Sequence, residues 1–89
     1  MDDLTTLLGA MPPAEHDARK RIRTARNAAA YNVTRTDSPD ALTLWWMIAD
    51  CATAWIYRPA DTATLGKVVE YLRGLLICAR RVQELEALS

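Results

Sequence analysis

The chain has 89 residues, of which 51% are hydrophobic and 25% charged, and its eleven basic and eleven acidic residues cancel formally. This length holds one domain, and the composition excludes intrinsic disorder. The zero net charge excludes a molecule that attracts nucleic acid through its overall field, although a local basic patch stays possible. The chain opens with two acids where a secretory signal needs basic residues, so we expect a cytoplasmic protein.

Two helical segments are predicted in the first third of the chain. Residues 1–12 favour a short helical extension, which Pro12 and Pro13 separate from the next segment. The first long helix is expected over 13–31, where small apolar residues recur at spacings of three and four. They form a narrow stripe that another helix can approach closely: Ala14, Ala18, Ile22, Ala25 and Ala29.

The second and third helices have clear start signals. Ser38 is a typical capping residue, Pro39 suits the first helical position, and Pro59 requires the helix to stop, so the second helix is predicted over 39–58. The third is predicted over 61–87, and Asp61 or Thr62 can cap its start. It has one apolar stripe, which consists of Leu65, Val68, Val69, Leu72, Leu75, Leu76, Ala79 and Val82. The short connection between the two helices requires antiparallel neighbours. The predicted fold is therefore all-α: one domain over 1–89, an antiparallel three-helix bundle with an N-terminal helical extension.

The second helix has more apolar surface than two neighbours can cover. Residues 41–57 are apolar on nearly every side and carry one charge, Asp50. Two neighbouring helices leave one strip uncovered, on which Trp46, Asp50, Thr53 and Tyr57 follow at spacings of four, three and four. Mixed aromatic and polar surface of this kind is favoured at protein interfaces. Either a partner protein or the N-terminal extension, through its leucines, is expected to cover this strip.

The third helix is longer than the second by about two turns. Its overhanging end still carries apolar residues such as Leu85, and Ile77 lies off the core stripe. These features predict a docking surface for a second copy of the chain, and hence a homodimer. The candidate partner-binding residues are Trp46, Asp50, Thr53, Tyr57, Ile77 and Leu85.

Asp50 has two interpretations, because an unpaired carboxylate in an apolar setting is costly. It can form an ion pair with an arginine of the first helix, or it can lie at the partner interface. The internal ion pair is the expected arrangement, since the arginine-bearing face borders the packing stripe of the first helix.

One dense cluster of basic residues lies on the first helix. Arg19, Lys20, Arg23 and Arg26 could contact an anion, either a nucleic acid or an acidic protein surface. A solvated charged face is the competing interpretation. The alternative function is accordingly a nucleic-acid-binding regulatory protein that uses this face.

Catalytic and metal-binding patterns are not found in the sequence. His16 is the only histidine and has no sequence-near partner. Cys51 and Cys78 are expected to be reduced core thiols rather than a disulfide, and one histidine with two distant cysteines matches no usual zinc-ligand spacing. A membrane partner is not expected, because the apolar stretch is short and holds an acid. We therefore expect a small adaptor or inhibitor that docks on a protein partner, with no enzymatic activity and no cofactor.

Overall fold

A computed structural model describes residues 15–88, which form three helices: α1 (Glu15–Val33), α2 (Pro39–Trp55) and α3 (Thr62–Ala87). The helices pack against one another as an antiparallel bundle, which confirms the predicted fold class. The predicted extension over residues 1–12 lies outside the described residues, as does the predicted start of the first helix at 13–14.

Each helix contributes one buried stripe to a single core. The stripe of α1 is built from alanines around Ile22, whereas α2 supplies the bulky Trp45. Small side chains of α1 and the large indole of α2 thus lie in the same cluster. In a close-packed interior, a large side chain of one helix fills the space that small side chains of its neighbour leave. The buried residues of α3 follow the predicted stripe and are Leu65, Val68, Val69, Leu72, Leu76 and Ala79. The apolar pattern of the sequence therefore corresponds to the observed core.

Both predicted helix starts are capped by side chains. The Ala41 N–H donates to Ser38 Oγ at 3.1 Å, and the Thr64 N–H donates to Asp61 Oδ1 at 2.7 Å. Each bond satisfies a backbone donor that has no partner inside its own helix. Backbone hydrogen bonds to the Asp61 carboxylate hold its pKa below the ordinary value of an aspartate.

Two predicted helix ends are wrong by a few residues. The first helix ends at Val33 rather than at 31, and the second ends at Trp55 rather than at 58. The Ile56 N–H, at the cap of the helix, donates to the Ala52 carbonyl at 2.9 Å, and beyond it the Arg58 N–H donates to the Trp55 carbonyl at 3.4 Å in a turn. Pro59 disfavours helix at residue 58, and the carbonyls of Ile56 and Arg58 are bound by α1 instead.

Two buried side-chain polar atoms of the described residues have no hydrogen-bond partner, Trp45 Nε1 in the core and Arg73 Nε on α3. Trp45 is 1% exposed, and its Nε1–H is buried and finds no acceptor within the described part of the chain. A buried donor left unpaired is costly. The indole ring of Trp45 is therefore held by its apolar contacts rather than by a hydrogen bond.

Candidate functional site

The predicted uncovered strip of α2 and the turn after it is exposed. Trp46 is 53% exposed and Tyr57 is 78% exposed, and Asp50 and Thr53 between them are exposed as well. We call these four residues the aromatic face. Met47, beside Trp46, is also exposed and widens the apolar part of this surface.

The helical rotation of about 100° per residue explains how two adjacent tryptophans differ. Trp45 lies on the same side of α2 as Ile48 and Ala52, which are buried against the other helices. Trp46 is rotated out of that stripe and falls in line with Asp50 and Thr53. The aromatic face is thus the direct consequence of a helix with more apolar positions than its two neighbours cover.

The predicted ion pair between Asp50 and an arginine of α1 is wrong. Asp50 is exposed, and its carboxylate makes no ion pair or side-chain hydrogen bond within residues 15–88. The reason is geometric, because Asp50 lies on the aromatic face and not on the side of α2 that meets the core. The interpretation that places Asp50 on a surface open to a partner is the one compatible with this position.

Arg19 has a contact that the sequence did not suggest. Its guanidinium donates from Nη1 to the Ile56 carbonyl and from Nη2 to the Arg58 carbonyl, both at 3.0 Å. Glu15, one turn earlier on α1, lies 3.6 Å from the same guanidinium. A cation at the C-terminal end of a helix satisfies free carbonyls and favours the helix dipole. Arg19 therefore fastens the start of α1 to the end of α2.

The other three residues of the predicted basic cluster differ in how exposed they are. Lys20 and Arg23 are exposed, whereas Arg26 is half-buried and contacts Asn27 Oδ1 at 3.4 Å. With Arg19 bound to carbonyls, the predicted anion-binding cluster has only part of its charge directed to the outside. No sequence signal distinguishes Arg19 from Arg23, because the distinction depends on where the end of α2 lies.

The far end of α3 is exposed, as its length predicts. Ile77 and Leu85 are 51% and 50% exposed. No described residue of α3 beyond Ala79 is buried, although Val82 is partly covered. The candidate residues on α3 therefore lie on the surface, but on a different helix from the aromatic face.

The residues considered for chemistry are not brought together. His16 is exposed, and the described residues contain no group of three or more side chains suited to hold a metal ion. Cys51 is half-buried, and this burial raises the pKa of its thiol. The prediction that Cys78 is a core thiol is wrong, because Cys78 is exposed on α3. Neither cysteine is paired with another within the part described.

None of the three helices described is long and apolar enough to cross a lipid bilayer. Comparisons with protein-family models, with curated proteins and with solved structures find no significant match to this chain.

Proposed function

We propose that this protein is a small non-enzymatic adaptor or inhibitor that docks on a partner protein through the aromatic face. The observation that carries the proposal is the exposure of Trp46 and Tyr57 on a segment whose opposite side is buried. Tryptophan and tyrosine are enriched among the residues that dominate binding energy at protein interfaces. Their place outside the core gives them no comparable role in folding.

The chemistry of the aromatic face narrows the kind of partner. Asp50 lies one turn after Trp46, so a single carboxylate stands beside the apolar surface of this indole and of Met47. We propose a partner surface with an apolar pocket for the indole and an arginine or lysine facing Asp50. A charge pair of this kind contributes more to partner choice and to association rate than to affinity.

The proposal includes a mode of action and a setting. The protein would work in the cytoplasm by occupying a surface of its partner, in a regulatory or inhibitory role, and would do so as a homodimer. The exposed side chains of Ile77 and Leu85 on α3 support a second contact surface apart from the aromatic face. The two surfaces would allow self-association and partner binding at the same time.

The experiment compares protein capture from native cell extract by three forms of the chain. The double variant Trp46→Ala/Tyr57→Ala removes both aromatic side chains, and Tyr31→Ala removes a comparably exposed aromatic residue from α1. We expect at least one protein to be retained by the wild type and by Tyr31→Ala, and to fall by about tenfold or more with the double variant. Quantitative mass spectrometry measures the retention.

A capture profile that is the same for all three forms would contradict the proposal. Circular dichroism of each variant ensures that a lost partner does not reflect a lost fold. As a further check, Asp50→Lys keeps the aromatic rings and reverses the charge. It should weaken binding of the captured partner if a cation faces position 50.

The alternative function, nucleic-acid binding through Arg19, Lys20, Arg23 and Arg26, has less support from the structure. Arg19 is hydrogen-bonded to two carbonyls of its own chain. Binding through the remaining cations would show a steep salt dependence and would weaken when Lys20 and Arg23 become alanine. A mobility shift at low salt that these substitutions abolish would favour this alternative over protein docking.

A further inference from the structure

The outward side of α3 carries a second stripe at helical spacing besides the one in the core, and this stripe is apolar in part. Its positions alternate at spacings of three and four over more than four turns, and all of them are exposed. Tyr71, Leu85 and Leu88 are its large apolar members. We call this stripe the outer seam of α3; its residues are Tyr71, Gly74, Cys78, Arg81, Leu85 and Leu88.

A repeat of three and four is the pattern by which one helix packs lengthwise against another. At Gly74 the outer seam presents only backbone, because glycine has no side chain. No heavy atom lies within 4 Å of the position that a Cβ of Gly74 would take. The packing of the bundle itself therefore does not require a glycine at this position.

Four exposed charges on or next to the outer seam indicate what kind of helix fits it: Arg81 belongs to the seam, Lys67 continues its repeat four residues before Tyr71, and Glu70 and Glu84 lie beside it. In chain order they are Lys67, Glu70, Arg81 and Glu84, so the signs run positive, negative, positive, negative. Along the helix, Lys67 and Glu84 are equally far from the midpoint between Leu75 and Leu76, and so are Glu70 and Arg81. A second copy of α3 in antiparallel orientation would place Lys67 opposite Glu84 and Glu70 opposite Arg81, twice each by symmetry.

We propose that two copies of this chain associate through the outer seam of α3, in antiparallel orientation, with the twofold axis at the level of Leu75 and Leu76. The proposal rests on the homodimer named under the proposed function and specifies its surface. The four charges span roughly 25 Å from Lys67 to Glu84, at 1.5 Å per residue, and Leu85 and Leu88 extend the contact beyond Glu84. The contact buries Tyr71 of the seam and Ile77 beside the seam, which are both about half exposed in the single chain.

The charges also select against the other orientation. In a parallel symmetric pair each residue meets its own copy at the same level, so Lys67 would face Lys67 and Glu84 would face Glu84. Within one chain Glu70 lies 3.4 Å from Arg73 and Arg81 lies 3.8 Å from Glu84, in exposed pairs. Exposed pairs of this kind contribute little. They can be exchanged for contacts with the second copy at small cost.

The test is a charge reversal with rescue, measured by sedimentation equilibrium of the full chain. Lys67→Glu places two like-charge contacts in the antiparallel dimer and should raise its dissociation constant by about tenfold. Glu84→Lys should have a similar effect. The double variant Lys67→Glu/Glu84→Lys restores both opposite-charge contacts and should return the dissociation constant to within about twofold of the wild type.

A matched control separates this surface from general charge effects. Lys20→Glu makes the same charge change on an exposed position of α1 and should leave dimerisation unchanged. Both reversals on α3 place charges that favour the helix dipole, an acid near its start and a base near its end, so folding should persist. Circular dichroism checks that it does.

Four results would overturn the proposal. If the chain stays monomeric up to millimolar concentration, the outer seam is covered by the N-terminal segment or by another protein and not by a second copy. Dimerisation that is insensitive to Lys67→Glu, or that the double variant fails to rescue, places the contact elsewhere. A dimer strengthened by Lys67→Glu has the parallel orientation. The proposed docking through the aromatic face is tested separately, because Trp46→Ala/Tyr57→Ala should leave this dimer intact.

Discussion

Two adjacent tryptophans of α2 lie in opposite environments. Trp45 is 1% exposed and lies in the shared core, whereas Trp46 is 53% exposed and lies on the aromatic face. Their indole rings are chemically the same, so the difference comes only from their position around the helix. The inward side of α2 supplies stability, and its outward side carries the surface proposed for docking.

The largest expected effect comes from truncating the inward tryptophan. Trp45→Ala should cost about 3–5 kcal/mol of unfolding free energy, because it opens a cavity in the core. A loss of this size is comparable with the total stability of many small domains. Urea denaturation followed by circular dichroism measures it.

The matched variant Trp46→Ala should change the unfolding free energy by less than about 1 kcal/mol, because the ring is exposed. Trp45→Phe should cost less than Trp45→Ala, because the phenyl ring fills most of the cavity that alanine would leave and the Nε1–H of Trp45 makes no hydrogen bond within the described chain. Equal costs for Trp45→Ala and Trp46→Ala would contradict the division of α2 into two sides.

A smaller effect is expected where α1 holds the end of α2. Arg19→Ala removes two hydrogen bonds to the carbonyls of Ile56 and Arg58. We expect a loss of about 1–2 kcal/mol, near the lower end of the range for bonds to charged groups because the site is partly open to water. Arg23→Ala, on an exposed position of the same helix, should stay within about 0.5 kcal/mol of the wild type.

Thermal unfolding can compare these two arginine variants directly. In a domain of this size, 1 kcal/mol corresponds to a shift of about 4–8 °C in the midpoint. If Arg19→Ala and Arg23→Ala unfold at the same temperature, the contact between α1 and the end of α2 does not contribute to stability.

A change of opposite sign is expected at a glycine in the first half of α3. Gly66 lies within the helix and has no positive φ, and no heavy atom lies within 4 Å of the position that its Cβ would take. Gly66→Ala should therefore raise the unfolding free energy by about 0.5–1 kcal/mol, through the lower entropy of the unfolded chain. Denaturant midpoints measure the gain. A loss of stability would mean that position 66 is more crowded than its surroundings indicate.

The smallest effect concerns the start of α3 and its dependence on pH. The folded pKa of Asp61 lies below that of the unfolded chain, mainly because the Thr64 backbone N–H donates to its carboxylate. The stabilisation is therefore complete above the unfolded pKa and is lost as pH falls through the folded pKa. Asp61→Asn keeps a capping side chain but cannot titrate. Denaturation midpoints of this variant should decrease less steeply towards acid than those of the wild type.

The fold was predictable because its signals are local and periodic. The capping side chains of Ser38 and Asp61 marked both observed helix starts, and the apolar stripe of α3 corresponded to its buried residues. The outward position of Trp46 and Tyr57 also followed from counting faces on α2. In each case the prediction needed only the helical repeat and the number of neighbouring helices.

What was missed depends on contacts between residues far apart in the chain. Arg19, which was placed in the anion-binding cluster, instead binds carbonyls 37 and 39 positions away. Asp50, which was expected to pair with an arginine of the first helix, is exposed. Cys78 was assigned to the core although it lies on the outward side of α3. Helical periodicity alone does not show which of two similar arginines meets the end of another helix.

The hydrogen bonds of Arg19 hold the backbone on both sides of Tyr57. The carbonyls on both sides of this tyrosine, those of Ile56 and Arg58, are anchored by one guanidinium, while its ring is 78% exposed. A binding residue on an immobilised backbone loses less conformational entropy when a complex forms. In the proposed docking, the attachment of α1 to α2 by Arg19 would preorganise the most exposed residue of the aromatic face. Removing this attachment would slow or weaken binding of a partner without altering the tyrosine ring.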